Sequence, residues 1–296
     1  MKRIFTLLLA CCLPVLAAAQ TWPEKPIKVV VPFGPGGSSD LMARLLQKTI
    51  EDEKLLSQPM AIVNVKGHFS IGSQQVKNAA PDGTNFLVLH LALLSGEVVD
   101  PSKGVSYRDF EPVAMLGTVP SVLVVNPNVP AATLPELVAY AKAHPGKLSY
   151  GSAGAGTTPN VGGELFKQGA GIFATHIPYR GAAPAIQDLM AGQVDFGFMP
   201  GTMFQHVKAG KLKLLGVASR QRTPNYPSAP TITEEGIPNV LVDTPFVVYA
   251  PAAMPAAHVE RMSREINRVL VQPATKAKFA EFAADAMPLS PEQKDA

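Results

Sequence analysis

Cysteine is confined to the first twelve residues, where Cys11 and Cys12 are the only two in a chain of 296. Disulfides, thiolate nucleophiles and cysteine-held metals are therefore excluded from everything downstream. Neither sign of charge is in excess, with Lys+Arg 26 against Asp+Glu 23, so no nucleic acid partner is expected. After Ala19 no apolar run approaches the ~18 residues of a membrane span. The histidines, at positions 68, 90, 144, 176, 206 and 258, show no H-x-H or H-E-x-x-H spacing. No metal and no cofactor are expected, and a G-x-S-x-G nucleophile turn is missing.

What is present begins with an export signal. Met1 is followed by basic Lys2 and Arg3, Ile4 to Leu16 is apolar, and Ala17, Ala18 and Ala19 precede Gln20. This pattern predicts a signal peptide over residues 1–19, cleaved after Ala19. Cleavage there takes 19 of the 296 residues and leaves 277, more than one core usually organises. Two domains are expected.

Ile27 to Phe33 (IKVVVPF) reads as a buried strand, followed by the loop Gly34-Pro35-Gly36-Gly37 and a helix with Leu41, Leu45 and Leu46 on one face. Further strands are predicted at Ala61–Val65, Phe86–Leu89, Val113–Leu116 and Ser121–Asn126, with a loop over Gly67–Gly72 and a short helix through Val76. The arrangement then starts again. A helix over Leu134–Ala143 leads to a strand at Leu148–Gly151, the loop Ser152-Ala153-Gly154-Ala155-Gly156-Thr157-Thr158, and a helix from about Pro159 to Gly169. Alternating strands and helices continue to Ser219, a Pro-rich segment spans Thr223–Pro238, and the Phe246–Ala250 strand returns the chain to the first unit. The fold class is α/β, two domains each with a mostly parallel sheet flanked by helices and a cleft between them. The expected boundaries are 20–125 and 244–296 for the first domain, short at its C-terminal end, and 126–243 for the second.

The two glycine loops carry the chemistry. Unpaired amides and the dipole at a helix N-terminus favour an anion, and glycine lets a ligand approach the backbone. The first loop offers the Gly36, Gly37 and Ser38 amides and the Ser38 and Ser39 hydroxyls; the second offers Ser152, Thr157 and Thr158. The alternative is that both are ordinary strand-to-helix turns. Nucleotide motifs do not fit, since the first loop lacks Lys-Ser/Thr and Gly151 to Gly156 reads G-x-x-G-x-G. Asp40 suits a cap in a helix first turn, or else a base or cation ligand. Tyr179 offers a hydroxyl and a flat wall or packs on the surface, and Arg180 could clamp a carboxylate. His68 and His90 either face the cleft or serve structure. If either lines it, anion affinity should rise as pH falls through the imidazole range.

Taken in order, several stretches resemble the Bug family of periplasmic solute-binding proteins from tripartite tricarboxylate transporters. They are WPEKPIKVVVPFGPGGSSD at 22–40, NAAPDGTNFL at 78–87, FEPVAMLGTVPSVLVVNPNVPAATLPEL at 110–137, HPGKLSYGSAGAGTTPNVGGELF at 144–166 and HIPYRGAAPAIQDLMAGQVDFGF at 176–198. The resemblance implies a Venus-flytrap fold, a carboxylated metabolite in the cleft, and delivery to membrane permease subunits. A monomer is expected. Carried onto this sequence, the implied ligand contacts are Phe33, Gly34, Gly36, Gly37, Ser38 and Asp40, then Ser152, Gly156, Thr157 and Thr158, with Tyr179, Gly181 and Ala183. Where relatives carry small residues this chain has Lys66-Gly67-His68-Phe69-Ser70-Ile71-Gly72 and His90-Leu91-Ala92. Ser70 and His90 join the candidates there.

The expected function is a non-catalytic transport receptor. The alternative is a sensory adaptor that presents its solute to a membrane histidine kinase, and a cleft hydrolase would have only Asp40, His68 and His90 to work with.

Overall fold

The first strand, β1 (Ile27–Val31), is buried at four of its five positions, as a β-branched run covered on both faces must be. It pairs in parallel with β2 (Met60–Asn64) and β3 (Asn85–Leu89). The structure, a computed structural model, describes residues 22–281 and 283–288. The expected signal peptide lies outside the described residues.

Helices α1 (Ser38–Asp52), α2 (Phe69–Lys77) and α3 (Ala92–Val99) follow β1, β2 and β3 in turn. β4 (Phe110–Val119) then runs straight into β5 (Ser121–Val125) across Pro120, and the two belong to different sheets. The second series is α4 (Leu134–Ala143), β6 (Ser149–Ser152), α5 (Thr158–Ala170), β7 (Thr175–Pro178), α6 (Ala182–Ala191), β8 (Phe196–Pro200), α7 (Phe204–Lys208) and β9 (Lys213–Val217). β10 (Thr244–Pro251) brings the chain back, and α8 (Ala256–Leu270), α9 (Pro273–Glu281) and β11 (Asp285–Ala286) finish it.

The first sheet has the order β11-β4-β10-β3-β1-β2 and the second β7-β6-β8-β5-β9. Both are mixed rather than mostly parallel. β10 runs antiparallel to β3 and β4, and β5 antiparallel to β8 and β9. The reason lies in the crossings: a strand that enters a sheet from the other domain arrives without a helical crossover, so nothing obliges it to run parallel. β5, which the hydropathy pattern groups with the first strands, pairs in the second sheet.

Each sheet has its own core. In the first, Val259, Met262, Ile266, Val269 and Leu270 of α8 pack with Val29–Val31 and Phe86–Leu89. In the second, Phe166 of α5 meets Phe196 and Phe198 of β8. Burying side chains of this size is worth roughly 1.5–3 kcal/mol apiece. α5 lies unusually close to its sheet, because a Cβ at Gly163 would sit 2.3 Å from the Tyr150 ring. With a Cβ at Gly162 likewise 2.8 Å from the Phe198 ring, these contacts explain the pair Gly162-Gly163 inside a helix, where propensity alone disfavours glycine.

The stretch read as a loop over Gly67–Gly72 is helical from Phe69 onward. His68 caps α2 by accepting the Ser70 N–H on Nδ1, and a Cβ at Gly72 would stand 2.8 Å from Pro32 Cβ. Gly72 thus serves close packing of α2 on the end of β1 instead of a turn.

Candidate ligand-binding cleft

Two of the β-strands, β1 and β6, end in glycine turns that feed helix N-termini, and the turns share one hydrogen-bond pattern. The Gly36 N–H donates to Asp40 Oδ2 at 2.9 Å, and the Gly156 N–H donates to Asn160 Oδ1 at 2.9 Å. Both glycines hold positive φ, +85° and +75°, which an L side chain rarely adopts. The first intrahelical bonds run from Leu41 to Gly37 and from Val161 to Thr157, so the amides before them have no helical acceptor.

Two residues beyond each glycine stands a hydroxyl, Ser38 in α1 and Thr158 in α5. Both hydroxyls line one cavity between the sheets, and neither has a hydrogen-bond partner although both are buried. Leaving a buried donor unmade costs about 1–3 kcal/mol. A ligand that accepts from both sides of the cleft would satisfy them, and the paired helix dipoles favour a negative one.

Asp40 also lines this cavity, but its oxygens are committed. Besides Gly36, they accept from Arg44 Nε at 3.0 Å and from Asn64 Nδ2 at 2.9 Å. Burial works to raise its pKa, and the bonds from Arg44, Gly36 and Asn64 outweigh it, holding the carboxyl below its ordinary range. Asp40 shapes the loop as an ionised clamp.

His90, at the end of β3, forms part of the cavity wall. Its ring lies parallel to Phe33, with centroids 5.2 Å apart and 5° between planes, and edge-on to Phe246 at 5.7 Å. Nδ1 accepts the Ala92 N–H at 3.2 Å. Burial pushes its pKa down to about 4. A ring held neutral in this way adds no charge to the cleft near neutral pH, so His90 gives no reason for anion affinity to rise through the ordinary imidazole range.

The sequence profile of the tripartite tricarboxylate transporter family receptor matches residues 42–295. The chain belongs to that family. BugT of Bordetella pertussis is 34% identical over 284 residues, covering 93% of this chain and 86% of its own. The structure of MatC from Rhodopseudomonas palustris with bound malate superposes with a TM-score of 0.85 at 30% identity, covering 92% of this chain and 93% of the other. A second R. palustris protein, Rpa4515 with adipate, gives a TM-score of 0.86 at 28% identity, covering 93% and 92%. The fold is the two-domain periplasmic-binding-protein type.

Within this receptor fold the candidate residues fall into three places. Phe33, Gly34, Gly37, Ser38, Asp40, His90, Thr158, Gly181 and Ala183 line the inner cavity. Thr157 and Tyr179 line an outer chamber, shared with Phe33, Arg180, His68 and Lys103. The Tyr179 hydroxyl donates to Asp188 at 2.8 Å, and burial together with that bond pushes its pKa up to about 12. Gly36, Ser70, Ser152 and Gly156 stand behind the walls. Ser70 Oγ lies 2.8 Å from His68 Nδ1, and Gly156 meets α3, where Ser95 Oγ donates a short hydrogen bond to its carbonyl across the cleft.

Ser152 belongs to a buried network. Its Oγ is 2.6 Å from His176 Nε2, and His176 Nδ1 faces Asn160 Nδ2 at 3.4 Å. Asn160 Oδ1 takes the Gly156 N–H, so its NH2 must be the group facing the ring, and Nδ1 must accept. Nε2 then carries the proton and donates to Ser152, which passes its own to the Gly154 carbonyl. A serine arranged this way is the reverse of an activated nucleophile.

Ser121 and Thr244, which no sequence motif marks, begin β5 and β10 at the two crossings and also line the inner cavity. A hydroxyl opening an otherwise apolar strand on each side of a crossing was the available signal.

Proposed function

We propose that this protein is an exported receptor that captures a small carboxylated metabolite between its two sheets and presents it to the permease subunits of a tripartite tricarboxylate transporter. The observation that carries the reading is the pair of buried, unpartnered hydroxyls, Ser38 and Thr158, facing one cavity from two helix N-termini. The carboxylates present in the MatC and Rpa4515 structures support it. Export follows from the predicted signal peptide, with removal after Ala19. The Ser152–His176 proton arrangement supports binding without turnover.

Native mass spectrometry of protein purified without denaturation should show a bound species whose mass is that of an organic acid. Titration calorimetry with mono-, di- and tricarboxylates should then find at least one that binds. No acid bound and none binding would overturn the reading.

A further inference from the structure

The inner cavity carries hydroxyls at two places. Ser38 and Thr158 form the unpartnered cradle at the helix N-termini, and Ser121 and Thr244, whose hydroxyls face each other at 3.4 Å, lie where the chain crosses between the sheets. The wall beside them is built from the Phe33, His90 and Phe246 rings and from small residues such as Ala153, Ala182 and Pro184. Among the described residues Arg180 is the one Lys or Arg on its wall, and it also borders the outer chamber. Asp40 brings no free charge, being paired with Arg44.

Against that wall the His90 ring is fixed on three sides. Phe33 covers one face, Phe246 abuts it edge-on, and the Ala92 amide holds Nδ1. A backbone N–H can only donate, so Nδ1 is the acceptor and the ring proton sits on Nε2. Among the described residues no hydrogen bond reaches Nε2. The cavity wall thus offers one fixed, uncharged N–H donor in aromatic surroundings. A second carboxylate placed here would be desolvated against a neutral donor, which is unfavourable. A flat apolar body with a neutral acceptor, such as a ring nitrogen or hydroxyl oxygen, would stack on Phe33 and receive the N–H without that cost.

We propose that His90 is the specificity-determining residue of the cleft and selects a monocarboxylate with an aromatic body and a neutral hydrogen-bond acceptor over aliphatic dicarboxylates. This rests on the carboxylate reading above and names the class of acid for the same site.

The test is titration calorimetry of the full mature chain with benzoate, 3-pyridinecarboxylate, 4-hydroxybenzoate, malate and adipate. The wild type should bind the aromatic acids at least about tenfold more tightly than malate or adipate. His90→Phe keeps the apolar wall and loses the donor. It should lower affinity for the pyridine or hydroxyl acid by about tenfold, the worth of one buried hydrogen bond, and leave benzoate unchanged. His90→Gln, which restores a donor on a non-planar stem, should recover the hydrogen bond in part and lose the stacking. Tight binding of adipate or malate, unaffected by His90→Phe, would overturn the assignment while leaving the carboxylate receptor intact. Binding of no acid by the wild type, with Ser38→Ala and Thr158→Val equally inert, would instead sink the receptor reading itself.

Discussion

Ser152 Oγ and His176 Nε2 lie 2.6 Å apart in a network that props up the second glycine turn from behind. The His176 ring stacks on Tyr150 at 4.7 Å, the Tyr150 hydroxyl accepts from Asn160 at 2.9 Å, and Asn160 holds the Gly156 amide. Ser152→Ala should strand the His176 N–H and the Gly154 amide together. The expected cost is about 1–3 kcal/mol of stability in urea unfolding, with a weaker ligand affinity as the turn loosens. Unchanged stability would mean that water takes over the lost partner.

The cradle hydroxyls should behave in the opposite sense. Ser38 and Thr158 have no partners in the unliganded protein, so Ser38→Ala and Thr158→Val remove an unmet donor. Each should leave the unliganded melting temperature equal or higher while weakening acid binding by about tenfold. Calorimetry and thermal melts of the same samples separate the two effects. A fall in unliganded stability without loss of binding would assign these hydroxyls to structure.

His90 gives a pH signature in stability. Its folded pKa, about 4, lies below its ordinary 6.5, so the unfolded chain takes up the proton first as pH falls. The contribution is whole above about 6.5 and drains away toward 4, amounting to about 3 kcal/mol at the lower limit. His90→Phe should remove that share of the slope. The remaining slope belongs in part to His68 and His176, whose pKa values burial also lowers. Ligand affinity, corrected for the ligand's own titration, should stay flat between pH 5.5 and 8.

Asp40 acts further down the scale. Its folded pKa is depressed, so the stability it confers is present above the ordinary carboxylate value and is lost as pH falls through the folded one. Asp40→Asn would copy the second turn, where Asn160 already performs the clamp. We expect a loss of about 1.5–3 kcal/mol at neutral pH from the weakened Arg44 bonds, together with a flatter acid limb in unfolding curves. An acid limb as steep as the wild type's would show that other carboxylates govern it.

Ser95 tests the closed arrangement. It is the α3 side chain whose hydroxyl reaches the Gly156 carbonyl across the cleft. Ser95→Ala should leave unfolding nearly unchanged, reduce affinity several-fold, and raise the radius of gyration of the unliganded protein in X-ray scattering. Identical scattering profiles would show that the contact does not hold the cleft shut.

Much of this was legible along the chain because glycine and hydropathy report local geometry. The turns at Gly36 and Gly156 and the helices after them follow from residues a few positions apart. What did not follow depends on distant partners. Nothing local to Ser121–Val125 says which sheet it joins, because an apolar strand fits either. Gly72 looks like a loop residue until Pro32 is seen against it, and Ser152 looks like a ligand contact until His176, twenty-four residues on, takes its hydroxyl. Asp40 could be read as a cap from its place in the first turn, but its ties to Arg44 and Asn64 belong to tertiary structure.

The floor of the inner cavity is made where the chain changes sheets, at Ser121 and Thr244, whose hydroxyl oxygens are 3.4 Å apart. A molecule in this cavity therefore touches both crossings, the segments about which one sheet would turn against the other. A displacement of a few tenths of an ångström at the floor becomes a larger one at the rim. An acid that differs only in how it seats between those two hydroxyls could be distinguished, from outside the protein, by how far the jaws stand apart.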